Sequence, residues 1–418
     1  MTTTSGQFPT TGRSGNPLGV SADGRYFVDT HGSPAFWLGD TQWELFRRFS
    51  PETALQILRD RQAKGFSVIL VMLTGVDMAY IGPDLQAPYT NLHGEQPWIG
   101  GDPDTPNERY FEHVDSVIRL GEVTNQTLVV GVYHQWHRDI IPLGKARRWA
   151  RWVARRYRDV TNLMWSMYPR AEESYIPVCR ELAAGLQEGD EGRHLISVHP
   201  DPSVASSSFI HGEPWLAFNM IQTCVAYDRI PEAVGADYAR VPVKPVVMAE
   251  GGYEGIEFGK LQTAREIRRQ AFWTQLAGGH HVYGHNDAWT SPLAYEAWLQ
   301  SPGAQDLRTF REIITGLHDW WTLIPAPDLV IADAGCDPHG AMAARAADGR
   351  WAIVYLSAPC TVTLAPAATA AFVPASAWWI RPTTGERSPA GEILTPAGMS
   401  YGVPEGWEDA VLLIEALA

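Results

Sequence analysis

Glu250 closes the run PVVMAEGG, residues 245–252, in which four apolar residues lead into a carboxylate and two glycines. A short run with β-branched residues, opened by Pro245 and closed by Gly251-Gly252, reads as a buried parallel strand that stops where the glycines let the backbone turn. Glu250 then stands at the strand's C-terminal lip, free for chemistry, or else caps the next helix or pairs with an arginine. Similar strand-like runs end in Asp40 with Trp43, Asp77, His134 with Trp136 and His137, Tyr168 through Glu173, His199 with Asp201, Gln222, and His285 with Asn286 and Trp289. Carboxylates, imidazoles, amides and indoles around one opening suit a carbohydrate: sugar C–H faces lie against aromatics, and hydroxyls take directional hydrogen bonds. Two carboxylates can then cleave a glycosidic bond. One protonates the leaving oxygen, and the other attacks the anomeric carbon or activates water.

Other chemistries lack support. The histidines come singly from separate segments, without an HxH or HExxH pair, so no metal is expected and hydrogen bonding to hydroxyls is an equally good use for them. There is no GxGxxG after the first strand and no GxxxxGK[ST], so no nucleotide cofactor is expected either. GGHHVYGHN ends in histidine and asparagine and makes a poor phosphate cradle.

The elements that must position these residues follow from periodicity. Eight apolar runs, at 35–41, 67–73, 127–134, 162–169, 194–200, 218–223, 245–251 and 280–286, alternate with helical stretches. That pattern predicts an α/β chain with a closed (β/α)8 barrel, whose active site forms at the C-terminal lip of its strands. SPETALQILRDRQAKGF carries Ser50 as N-cap, Pro51 at the first helical position and Gly65 at the end. NERYFEHVDSVIRLGEV sets Phe111, Val114, Val117, Ile118 and Leu120 on one apolar face. After HDWWTLIPAPD the texture changes to short alternating segments, which predicts a small antiparallel β-sandwich. The expected division is an N-terminal extension at 1–20, the barrel at 21–327 and the sandwich at 328–418. Of Trp378 and Trp379, one is expected to pack inward and its neighbour to cover a domain interface.

A formal net charge of −14 over 418 residues argues against nucleic acid or an anionic membrane surface as partner. The basic stretch KARRWARWVARRYRD, 145–159, reads as a solvated helix whose aromatic face packs on a core. The N-terminus has no basic start followed by an apolar core, and no run approaches a membrane span. The four cysteines, at 179, 224, 336 and 360, are far apart without CxxC, so neither a disulfide framework nor a zinc site is expected and the cytoplasm is the expected location. Self-association is left open.

The segments GRYFVDTHGSPAFWLGDTQWELFRR, RHLISVHP, HGEPWLAFNMIQT, KPVVMAEGGYE and YGHNDAW together resemble the apiosidase-like barrel proteins, which include glycoside hydrolase family 140. The resemblance covers nearly the whole chain, since that family also tends to carry a C-terminal β-domain. It implies a glycosidase whose strand-seven glutamate is Glu250. It also implies an acidic residue in a GGD-like turn after strand four, where this chain has Tyr168-Pro169-Arg170. The aspartate is absent, and Glu172 and Glu173 are the nearest replacements, with Glu173 slightly favoured. The family's sugar-binding positions fall on Asp40, Trp43, His199, Gln222, His285 and Asn286, to which the residue pattern adds His134, Trp136 and Trp289.

The expectation is an exo-acting glycosidase on a short glycoside. Its alternative is a sugar-binding barrel that lost its acid, with Arg170 in the aspartate's place. Carboxyl groups about 5–5.5 Å apart would make the enzyme retaining and about 6.5–9.5 Å inverting. The Pro/Gly-rich excursion after strand two, with Asp77, Tyr80, Tyr89 and Trp98, is of the kind that shapes a pocket.

Overall fold

A computed structural model describes residues 18–76, 89–202, 204–334, 336, 340–366, 370–393 and 399–417. Asp77 and Tyr80 lie outside the described residues. Eight parallel strands form the barrel: β1 (Leu38–Thr41), β2 (Val68–Met72), β3 (Thr127–His134), β4 (Leu163–Tyr168), β5 (Ile196–Val198), β6 (Asn219–Gln222), β7 (Val246–Glu250) and β8 (His280–Tyr283). They pair in the order β5-β4-β3-β2-β1-β8-β7-β6, with a two-residue strand, Val204–Ala205, added antiparallel to β6. The circuit closes between β5 and β6 through a parallel bridge from Ile196 to Leu216 and a bond from Ala217 N to Ile196 O, 2.9 Å.

Side chains alternate across this sheet as period two requires. Val68, Leu70, Met72, Val129, Met164, Met220, Val247, Ala249 and Val282 fill the inside, while Leu38, Ile69, Val71, Val130, Ile221 and Met248 meet the helices outside. Helix α1 (Pro51–Ala63) starts as its sequence dictates, with Ser50 Oγ accepting from Thr53 N at 3.3 Å. The basic stretch forms α2 (Leu143–Tyr157), which buries Trp149, Val153 and Tyr157 against the barrel. Its arginines turn outward and pair with surface acids, Arg148 with Asp104 and Arg156 with Asp115 among them.

From Leu323 the chain builds two antiparallel sheets, of six and three strands, around a core that includes Val354, Val362, Leu364, Leu412 and Ile414. Trp379 packs into that core. Trp378 lies against the cluster shared with the barrel, where Phe272 stacks on Tyr355 at 4.5 Å. The same interface carries Arg268, which donates to Asp409 from Nε at 3.1 Å and Nη2 at 2.9 Å.

One sequence expectation is corrected here: Cys336 and Cys360 form a disulfide, with Cα atoms 5.0 Å apart, while Cys179 and Cys224 are free. The reason is register. Strand Thr361–Leu364 runs antiparallel to Val330–Ala334 with Thr361 opposite Ala334, so Cys360 and Cys336 meet just beyond the paired ends. Sequence spacing alone carries no trace of that pairing. No helix of the described residues is long and apolar enough to cross a membrane.

Candidate active site

Glu250 ends β7 and lines a pocket of about 230 Å³ at the C-terminal lip of the barrel. Strand alternation would turn it outward, because Val247 and Ala249 already face inside. A register shift redirects it: Ile221 pairs with Met248 but Gln222 pairs with Glu250, so Ala249 is one residue too many on β7 and the carboxylate comes round to the inside. A second shift does the same on β3, where Gly131 pairs with Ser166 but His134 with Tyr168. Tyr133 therefore packs on the outer layer and His134 enters the pocket. Gly251 and Gly252 serve proximity rather than a left-handed turn. A Cβ at Gly251 would meet Gln270 Oε1 at 2.1 Å, and Gly252 exchanges hydrogen bonds with the Gln270 amide at 2.9 and 3.1 Å.

The carboxylate is gripped from two sides. Gln222 Nε2 donates to Glu250 Oε1 at 2.6 Å, and Tyr168 Oη donates to Gln222 Oε1 at 2.6 Å. On the other side stands Tyr253, whose hydroxyl accepts from Trp43 Nε1 at 2.8 Å and favours the charged form of Glu250 beside it. The Tyr253 ring fits only because residue 284 is glycine, where a Cβ would lie 2.4 Å from it. With its side chain 14% exposed, Glu250 is costly to ionise, and burial pushes its pKa up to about 7 against the pull of Tyr253 and Gln222. His199 Nε2 stands 3.7 Å from Glu250 Oε2, but burial drives the ring's pKa down to about 4, so the pair is a dipolar contact rather than a salt bridge at neutral pH. His134 is likewise held neutral by burial and by His137 and His199 beside it.

Aromatic faces complete the wall. Trp43, Trp136, Tyr168, Tyr253 and Trp289 line the pocket with His134, Gln222 and Cys224. His199 supports it from beneath, its ring 4.3 Å from Tyr168 and 5.5 Å from Trp43. Of the sequence-derived site residues, the structure brings Glu250, Trp43, His134, Trp136, Gln222 and Trp289 together at the pocket, with His199 behind it.

The others stand elsewhere. Asp40 is fully buried on the outer face of β1, where its Oδ2 accepts from Arg61 Nε at 2.6 Å and Gln42 Nε2 at 2.7 Å. Alternation explains it: Leu38 faces out and Gly39 faces in against Val282, so Asp40 faces the helices. His285 accepts from Asp287 N at 3.1 Å and caps the short helix Asn286–Thr290, so that neither His285 nor Asn286 lines the pocket.

Glu172 and Glu173 are exposed and outside the lining, with Glu172 Oε1 3.8 Å from Arg170 Nη1. Arg170 Nε reaches Gln135 Oε1 at 3.0 Å, and Asp201 Oδ1 accepts from Ala171 N at 2.8 Å, so this segment is tied down beside the pocket. Tyr89 and Trp98 pack on His137 and each other below the lip. The site residue that sequence reasoning passed over is Tyr253. Its signal was present in MAEGGYE, three residues after the carboxylate. A larger hollow of about 340 Å³, between helix Ile230–Tyr238 and strand Val204–Ala205, borders the barrel from outside and shares only Gln222 with the pocket.

Comparison with known proteins bears on the fold and the family. Residues 21–322 match the family model described as the apiosidase-like catalytic domain, and residues 324–415 match one described as a putative collagen-binding domain of a collagenase. No curated protein matches. Among solved structures, a glycoside hydrolase family 5 protein from Bacteroides vulgatus superposes with a TM-score of 0.84 at 22% identity, covering 96% of this chain and 93% of its own. A structure described only as a glycoside hydrolase gives 0.79 at 22% identity, covering 96% and 97%. A β-L-arabinopyranosidase from Geobacillus stearothermophilus gives 0.55 at 8% identity, covering 91% and 96%. At these identities the structures speak for the fold, and the family model, matched over most of the chain, speaks for descent: the chain belongs to the apiosidase-like glycosidase family.

Proposed function

We propose that this glycosidase is exo-acting on a short glycoside and that Glu250 is the nucleophile of a retaining displacement. The observation that carries the reading is the grip on Glu250. Gln222 at 2.6 Å, with the Tyr253 phenol beside it in the lining, sets a half-buried carboxylate in a pocket whose volume, about 230 Å³, suits one sugar ring. Among the described residues, Glu250 is the carboxylate of the lining. Trp43 and Tyr168 offer faces for the sugar's C–H groups, while neutral His134 and Gln222 offer directional bonds to its hydroxyls. Attack by Glu250 forms a glycosyl ester, which water then cleaves. Glu172 or Glu173 serves as acid only after their segment leaves its ties to Gln135 and Asp201.

A panel of aryl pentosides and hexosides in both anomeric forms, with Glu250→Gln in parallel, tests this. Release from one sugar, reduced about 10⁴-fold or more in the variant, is expected. Near wild-type turnover by the variant would remove Glu250 from the mechanism. The Cys336–Cys360 bridge further supports a working place outside the reducing cytoplasm. Thiol titration of unreduced, unfolded protein purified from its native host should find two reactive cysteines; four would return the protein to the cytoplasm.

A further inference from the structure

We infer that the leaving group is a phenol: the natural substrates are aryl glycosides in which an aromatic aglycone, rather than a second sugar, departs. The inference rests on the reading of Glu250 above, and two separate observations point to it. The first is how the pocket wall divides by depth. Of the deep side chains, His134, Tyr168, Gln222, Glu250 and Tyr253 carry polar atoms and are buried or nearly so, with the buried Trp43 and Val76 beside them. The more exposed ones are Trp136, Pro202, Ile256 and Trp289, all apolar, together with Gln135, whose Oε1 already accepts from Arg170 Nε at 3.0 Å. Trp136 is 37% exposed, a large indole left at the rim. One sugar ring fills the polar floor, so whatever is attached to the anomeric oxygen meets the apolar rim. A second sugar would find few partners there for its hydroxyls, whereas an aryl ring stacks on indole.

The second observation is what β4 presents. Tyr168 commits its hydroxyl to Gln222, Arg170 reaches to Gln135, and Glu172 and Glu173 are exposed away from the lining. A sugar or alkyl alkoxide must be protonated as it leaves, and an acid positioned for that is worth about 10²–10⁴-fold. A phenolate is a far weaker base and departs with much less help, and among the described residues no second carboxylate lines the pocket. In the first step a Glu250 oxygen bonds to the anomeric carbon as the bond from that carbon to the aryl oxygen breaks, and the electron pair departs with the phenolate. In the second, water attacks the same carbon, the ester bond to Glu250 breaks, and the proton lost by water balances the one the phenolate takes up. The sum is glycoside plus water to sugar plus phenol.

The test compares methyl, phenyl and 4-nitrophenyl glycosides of one sugar and anomer, chosen from the panel above. The phenyl compound should exceed the methyl compound in kcat/KM by about 10²–10⁴-fold, and the nitrophenyl compound should be faster still. Trp136→Ala should raise KM for the phenyl glycoside about three- to tenfold and narrow the phenyl-to-methyl ratio. Methyl glycoside turned over within tenfold of phenyl, with both lost in Glu250→Gln, would overturn the phenol and leave the nucleophile standing. No cleavage of any of the three would overturn both.

Discussion

Strands β4 and β7 end at the same pocket and finish differently. β7 delivers a half-buried carboxylate that is bonded to an amide, stands beside a phenol, and is backed by a helix through Gln270. β4 delivers Tyr168, whose hydroxyl serves the β7 carboxylate through Gln222, and leaves its two glutamates in solvent. In the proposed mechanism this makes the nucleophile side preorganised and the acid side not. Holding Glu250 in place costs desolvation free energy, which its raised pKa reflects. In the same reading, the strand-four end decides the leaving-group chemistry.

The contrast between carboxylates turned inward and outward can be broken most strongly at Asp40. Asp40→Ala leaves Arg61 buried beside an empty partner site and should cost about 3–5 kcal/mol in denaturant unfolding. A variant of native stability with a raised KM would instead return Asp40 to the sugar. At Glu250 the sign reverses. Its pKa rises on folding from an ordinary 4.5 to about 7, so the native state holds a proton that the unfolded chain has released between those values. That stabilising contribution is full below the ordinary value and is lost as pH rises through about 7. Glu250→Gln should therefore raise the Tm by a few degrees at pH 8 and by almost nothing at pH 4, as scanning calorimetry would show. A Tm that falls at pH 8 would mean the charge is stabilised in the fold.

The same group sets the activity profile. A nucleophile must be ionised, so kcat/KM should climb with pH through a limb near 7. A limb falling through 7 would make Glu250 an acid instead. The smallest effect sharpens the link between the two strand ends. Tyr168→Phe frees Gln222 Oε1, loosens the Nε2 bond that favours the carboxylate, and should move the limb up by about one pH unit with the fold intact. An unmoved limb would make Tyr168 only a wall.

Much of this was legible in the sequence, for identifiable reasons. The barrel strands are short apolar runs with turn residues between them, and burial in a parallel sheet leaves little else those runs could be. Trp378 and Trp379 declared opposite faces by adjacency alone. Glu250 showed itself because a strand closing in glycine puts its last residue at the lip. The bulges did not show: nothing in TLVVGVYH or PVVMAEG marks the extra residue that turns His134 and Glu250 inward. Asp40 was readable and misplaced, because strict alternation from Leu38 already points it at the helices. The Cys336–Cys360 pairing depends on the register of two strands, which spacing along the chain does not encode.

Glu250 as the group that bonds to the anomeric carbon is the central proposal. A 2-deoxy-2-fluoro glycoside of the preferred sugar with a good leaving group should stall the second step and leave the glycosyl group on the enzyme. Intact mass followed by peptide mapping should place that group on the peptide carrying Glu250. Turnover with no trapped ester, or a label on Glu172 or Glu173, would contradict it.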